Sequence, residues 1–371
     1  MSLSVTQLSG HRGGATDVDV DNKVSSDIVV SCGGEDKSLR VWDLRSGRCV
    51  QAVANLPMDP ARVTMKGDQI VLATNTAEYD DDEEALVRQL HSERIDTARL
   101  GRNNSSGGSG KTSDKSLRSE PSRRTAPVLL FDRRNLRAVQ MLRDTSHQQV
   151  CVSECNDVRI LGRHWFGGFD DQKVRRFVDG EETGILTAPT VVLACAPTSS
   201  RSVLFGGLDC SVTFGDFNEQ RVIPIVDFAQ MRAGASIVPP LVNDITYTSS
   251  GALVSLGDGR GVYLPESFIS ERVASTSDNG NISSDDGELR VLGDMSAGAV
   301  VSADFLPGQR AFTAHARDCG VAIWSLESDD GFIAAAKLSD EIESARTCGT
   351  AGIIAATMDD TYGVQYLQVR Q

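Results

Sequence analysis

No run of about 18 apolar residues occurs anywhere in the 371-residue chain, so no membrane-spanning helix is expected. The opening residues Met1-Ser2-Leu3-Ser4-Val5-Thr6 lack the basic-then-apolar profile of a secretory signal. Eight cysteines are present, but without the spacing of a disulfide framework. They are therefore expected as reduced thiols in a cytoplasmic or nuclear protein. Excess basic charge is missing as well: 37 Lys and Arg stand against 51 Asp and Glu, a net charge of −14. Phosphate contacts need a basic surface, so broad nucleic-acid binding is not expected.

Motifs that carry chemistry are absent or present only in outline. No G-x-S-x-G nucleophile elbow occurs. Ser109-Gly110-Lys111-Thr112 copies the end of a phosphate-binding loop, but Ser105 stands where that motif needs glycine. Polar linker sequence flanks it on both sides. His147, Cys151, Cys155 and His164 begin as H-x3-C-x3-C, not as the paired ligands of common structural zinc sites. "QQVCVSEC" alternates like a strand, and a buried cysteine in a sheet is ordinary. Gly257-Asp258-Gly259-Arg260-Gly261 sits where a tight turn is needed and opens no helix, against a dinucleotide loop. "STSDNGNISSDDGE" does not bring calcium ligands into register. No cofactor, metal or catalytic residue is expected, and the chain reads as a non-enzyme.

What is present is a repeat. Val29 to Arg45 ("VVSCGGEDKSLRVWDLR") reads as two short strands joined by a tight turn and closing on Trp42-Asp43, with Gly10-His11 upstream. That is the pattern of one WD-type β-propeller blade. Closing strands recur at Phe131-Asp132, Phe177, Phe214, Tyr263, Trp324 and Tyr366. Acidic residues precede most of them at the turn: Asp36, Asp171, Asp209, Asp258, Asp318 and Asp360. An aspartate there can accept backbone N–H bonds and tolerates the corner. The spacing, roughly 40–45 residues, predicts a seven-bladed, all-β propeller forming one domain over residues 1–371. Residues 2–9 alternate polar and apolar and are expected to complete the last blade, near "YGVQYLQV".

Two polar insertions interrupt the repeat. Residues 76–125, in blade two, run from an acidic opening through Arg-rich and Gly/Ser-rich sequence, with a short helix expected in 83–100. Residues 265–294 are expected as a solvated linker between blades five and six. Within blade one, His11, Ser31, Asp36 and Trp42 are expected to form a buried structural network, with His11 bonding the turn carboxylate and the serine hydroxyl. Trp165 and Phe166 are expected to fill blade three.

The first blade resembles the WD-repeat family, and the later blades resemble it more loosely across nearly the whole chain. "PVLLFDRRNLRAV" (127–139), "VPPLVNDITYTSSGALVSLGDGRGVYL" (238–264) and "ADFLPGQRAFTAHARDCGVAIWSL" (303–326) look like blades of the WD repeat-containing protein 53 family. The insertion at 76–125 departs from that family. The resemblance implies a substrate receptor of a cullin-4 RING ubiquitin ligase. Such receptors commonly carry Asp-x-Arg after the closing aromatic in two consecutive blades. The matching residues here are Asp43 and Arg45, and Asp132 and Arg134. An arginine at a blade rim offers a planar donor fork to a partner, although in WD repeats generally it also pairs with a neighbouring carboxylate. The implied partner is the ligase adaptor, held by a monomeric propeller within a complex. The alternatives are a scaffold subunit of an RNA-processing or trafficking assembly, or a small-molecule or catalytic site at the channel mouth. Convergent polar groups and shifted pKa values would mark the last of these.

Overall fold

Short strands separated by Gly- and Asp-bearing turns make up the computed structural model. It describes residues 2–21, 27–56, 59–75, 77–78, 124–125, 128–141, 153–231, 238–275, 289–293, 298–328, 331–349, 352–359 and 363–370. The strands form seven four-stranded antiparallel sheets. Their innermost strands are Asp17–Val20, Pro60–Lys66, Cys155–Leu161, Val192–Pro197, Val242–Thr248, Val300–Leu306 and Ile342–Cys348. Each contacts the next, and the last contacts the first, so the sheets close into a ring around a central channel. The fold is a seven-bladed β-propeller. The closing aromatics Trp42, Phe131, Phe177, Phe214, Tyr263, Trp324 and Tyr366 each occupy the third strand of their blade. Asp360 lies outside the described residues.

The ends of the chain meet in blade seven. Ser2–Leu8 pairs antiparallel with Val364–Arg370, from Ser2↔Arg370 to Leu8↔Val364. The pairing supplies the fourth strand of a sheet whose other members are Gly352–Thr357 and Ile342–Cys348. It also covers a sheet edge that would otherwise be open.

The core lies between blades, because each sheet is apolar on both faces and must be covered on both. One cluster joins Val30, Leu39 and Val41 of blade one to Ile70, Leu72 and Phe131 of blade two. Another joins Phe312 and Ile323 of blade six to Ile353 and Leu367 of blade seven. Trp165 and Phe166 point to opposite faces of blade three, the first toward blade two and the second toward blade four. The period-2 alternation of a strand does this directly.

Both insertions are anchored inside a blade. Ala77–Glu78 pairs with Arg124–Thr125, so the excursion at 76–125 leaves and returns side by side between the second and third strands of blade two. Its body, including 83–100 and Ser109 to Thr112, lies outside the described residues. The segment 265–294 differs from the expected linker between blades. Pro265 ends a strand, a helix follows at Glu266–Ser275, and Arg290–Leu292 is the fourth strand of blade five. Phe268 and Ile269 are buried in the core shared by blades four and five. Glu266 in the first turn and Arg272 in the last complement the helix dipole. Two adjacent apolar residues suffice to dock a helix this short, which the polar composition conceals.

Deleting residues 1–9 removes the closing strand and the buried Leu8. The melting temperature measured by calorimetry should fall by about 5 °C or more.

Candidate functional site

Blade one holds the expected network. Trp42 donates its indole N–H to Ser31 Oγ at 2.8 Å, and Ser31 Oγ lies 2.7 Å from His11 Nε2. His11 Nδ1 lies 3.0 Å from Asp36 Oδ2. The donors run in one consistent direction: indole to serine, serine hydroxyl to Nε2, and Nδ1–H to the carboxylate. Asp36 also accepts from the Arg12 backbone N–H and the Ser38 hydroxyl. Gly33 lacks a side chain by necessity, since a Cβ there would sit 2.5 Å from Asp36 Oδ1 and 2.7 Å from His11 Nδ1. A Ser–His–Asp order can serve nucleophilic catalysis where the serine faces a cleft. Ser31 is fully buried and its oxygen is occupied by Trp42, so this set braces the sheet. Blade six repeats part of it: Trp324 donates to Thr313 Oγ1 at 2.9 Å, and Thr313 Oγ1 lies 3.1 Å from His315 Nε2. That second set went unnoticed in the sequence, although Trp324 aligns with Trp42.

The two Asp-x-Arg turns have equivalent geometry. Asp43 Oδ1 accepts the Arg45 backbone N–H at 3.0 Å, and Asp132 Oδ1 accepts that of Arg134 at 2.9 Å. The aspartates therefore brace the turns. The arginine side chains reach across to the turn between the first two strands of the same blade. Arg45 Nε donates to Asp27 at 2.6 Å, and Arg134 Nε donates to Asp68 at 2.8 Å. These side chains are 80% and 73% exposed. Both turns join third to fourth strands, which puts them on one face of the disc in adjacent blades. Gln51 Nε2 ties the pair together by donating to the Arg134 carbonyl at 3.1 Å. Blade three carries the same kind of pair with the charges exchanged, Arg163 with Asp179.

The central channel holds the charges that the sequence did not reveal. Asp17 Oδ2 accepts the Val63 N–H at 2.8 Å, Asp19 Oδ2 accepts the Met65 N–H at 2.7 Å, and Asp21 accepts the Gly67 N–H. Asp157 takes the Cys195 N–H at 2.9 Å, and Asp304 takes that of Thr347 at 2.8 Å. Ser302 and Ser344 serve Ala345 and Val18 in the same way. Across the channel, Asp244 of blade five receives Arg159 Nη2 of blade three at 2.5 Å and Arg346 Nη1 of blade seven at 2.6 Å. Burial alone would raise the Asp244 carboxyl, but Arg346 and Arg159 hold it below the usual carboxylate range. Burial pushes the carboxyls of Asp19, Asp157 and Asp304 up. These are the convergent polar groups and shifted carboxyls that a small-molecule site would show, yet Asp244 and its two arginines are committed to each other. His147 and Cys151 lie outside the described residues. Cys155 is buried at the start of an innermost strand, and His164 lies on the neighbouring strand. No group of three or more metal-ligating side chains occurs among the described residues.

No protein-family model matches the chain, and no curated protein sequence matches it.

Ser31→Ala leaves His11 Nε2 and Trp42 Nε1 without their buried partner and should cost about 2–4 kcal/mol in urea unfolding. Burial lowers the folded-state pKa of His11 below its ordinary 6.5, against the opposing pull of Asp36. The unfolded chain thus takes the proton first. The histidine's contribution is whole above pH 6.5 and is lost as pH falls from there through the folded value. His11→Gln should flatten that part of the stability profile between pH 7.5 and 5. Asp244→Asn strands two buried guanidiniums and should cost about 3–5 kcal/mol, measured by the same method.

Proposed function

We propose that this β-propeller is a non-enzymatic protein-interaction scaffold of the WD-repeat kind, acting in the cytoplasm or nucleus as a substrate receptor of a cullin-4 RING ubiquitin ligase. A propeller is commonly an interaction platform, since its loops emerge on two broad faces of a rigid ring. The observation that carries the finer reading is the pair of exposed guanidiniums, Arg45 and Arg134, held in matching turns of consecutive blades. Among the described residues each guanidinium pairs with a partly exposed aspartate, Asp27 or Asp68. An exposed, solvent-screened pair of that kind contributes little to stability, so exchanging it for a partner's carboxylate or carbonyl groups costs little. Two braced forks on one face give the planar donor geometry that such a groove accepts. The resemblance of 127–139, 238–264 and 303–326 to the WD repeat-containing protein 53 family supports the same reading. Asp43 and Asp132 act indirectly, by fixing the turns.

The double substitution Arg45→Ala with Arg134→Ala should abolish co-purification of the ligase adaptor from cells. The melting temperature should stay within about 1 °C of the parent, because both side chains are exposed and contribute little to the fold. Adaptor capture that persists in the double variant would rule out this contact.

A further inference from the structure

The opposite face of the disc carries a different feature. The innermost strands begin there, and in blades two to seven a bulge at the second residue of the strand interrupts the pairing. The bulged residues are Ala61, Asn156, Leu193, Asn243, Val301 and Glu343, and all of them line one cavity of about 430 Å³ at the channel mouth. That volume lies within the range of small-ligand sites. Arg62, which follows the bulge of blade two, lines it as well. Two opposite charges thus face the cavity without pairing. Arg62 is held in place by donating Nε to the Asn156 carbonyl at 3.0 Å and Nη1 to the Ala61 carbonyl at 3.2 Å, while its Nη2 donates to no described residue. Neither Arg62 nor the half-buried Glu343 forms an ion pair among the described residues. They are nonetheless within electrostatic reach of one another: burial pushes the Glu343 carboxyl up, Arg62 opposes, and Glu341 adds to the upward push. Deeper in the channel, Asp244, Arg159 and Arg346 are spent on each other.

We infer that this mouth binds a small zwitterion, whose carboxylate takes the Arg62 guanidinium and whose ammonium takes the Glu343 carboxylate, as a free amino acid or a short peptide would. A guanidinium is all donor and suits a carboxylate, and an ionised glutamate is all acceptor and suits an ammonium. Arg62 and Glu343 sum to zero charge. A singly charged ligand therefore satisfies one of them and is repelled by the other, whereas a zwitterion satisfies both. The neighbouring amides can serve either end. Asn156 spends its two N–H donors on Asp170 Oδ1 at 2.8 Å and the Val192 carbonyl at 3.0 Å, which leaves Oδ1 as an acceptor. Asn243 spends one N–H on the Val300 carbonyl at 2.9 Å and keeps the other beside its own Oδ1. Leu193 and Val301 offer apolar wall for the ligand's carbon chain.

The test titrates the full chain, by saturation-transfer NMR, with two zwitterions, L-norvaline and glycylglycine. The controls are norvaline stripped of one charge at a time: pentanoate, which lacks the ammonium, and n-butylammonium, which lacks the carboxylate. Saturable binding is expected for at least one zwitterion, about tenfold or more tighter than for either control. Tighter binding of norvaline assigns a free amino acid as the source, and tighter binding of glycylglycine assigns a short peptide. Glu343→Gln should weaken the better zwitterion about tenfold or more and leave pentanoate no weaker. Arg62→Gln should weaken the zwitterion likewise and leave n-butylammonium no weaker; should that variant fail to fold, Glu343→Gln still decides. The inference is overturned if neither zwitterion saturates, if a singly charged control binds as tightly as the better zwitterion, or if Glu343→Gln binds that zwitterion like the parent. The Arg45→Ala, Arg134→Ala variant should bind the probes normally, so failure here and failure of the ligase-adaptor reading remain distinct.

Discussion

The innermost strand of a propeller blade has a neighbour in its own sheet on one edge only. The other edge turns backbone N–H groups toward the channel, and a buried backbone donor without a partner carries the full cost of its desolvation. In this chain the preceding blade supplies the acceptor. The Asp17, Asp19 and Asp21 ladder takes the N–H groups of Val63, Met65 and Gly67, which are alternate residues of blade two and its following turn. Asp157, Ser302, Asp304 and Ser344 repeat the arrangement further round. Blade order is therefore specified by hydrogen bonds as well as by apolar packing. The ring depends on this stitching. Burying so many carboxylates is unfavourable in itself, and Arg159 and Arg346 offset it by crossing the channel to Asp244.

The same strand directions separate two kinds of surface chemistry. Turns from first to second and from third to fourth strands lie on one face, where Arg45 meets Asp27 and Arg134 meets Asp68. Turns from second to third strands lie on the other face, with Asp36 and the channel mouth. The rim pairs are solvated, so they can be exchanged for those of a partner without disturbing the stitching. The channel groups are buried and mutually committed, and altering them threatens the ring itself. Surface variants should thus report on binding, and channel variants on stability.

Legibility in the sequence followed the range of each interaction. The closing aromatics and turn aspartates recur within a blade, so every third strand could be located from them. The Asp-x-Arg turns are bonded two residues apart, and His11 to Asp36 spans only 25 residues. The channel cluster left no such trace. Asp244 lies 102 residues from Arg346 and 85 from Arg159, and only ring closure brings them together. The alternation Asp17-Val18-Asp19-Val20-Asp21 was the one local sign, a strand carrying charge at every second place. The helix at Glu266–Ser275 was hidden for a different reason: its docking relies on two apolar residues inside a polar run, too few to set a helical period.

The position of the complete His11 network follows from where the chain closes. Ser2–Leu8 belongs to blade seven by pairing, yet His11, three residues later, is bonded inside blade one. Gly10 makes that passage, and it must be glycine because a Cβ would lie 2.6 Å from the Trp42 ring. Trp42 packs in turn with Leu8, Ile354 and Val364, the cluster that joins blades seven and one. The network therefore does more than stiffen one sheet. It holds the segment that leads from the closing strand Ser2–Leu8 into Asp17–Val20, beside the blade whose sheet is completed by pairing the two ends of the chain. The four strands of blade six follow one another along the chain, so no pairing of chain ends has to be held there. There the shorter Trp324–Thr313–His315 set lies within two neighbouring strands of the same sheet.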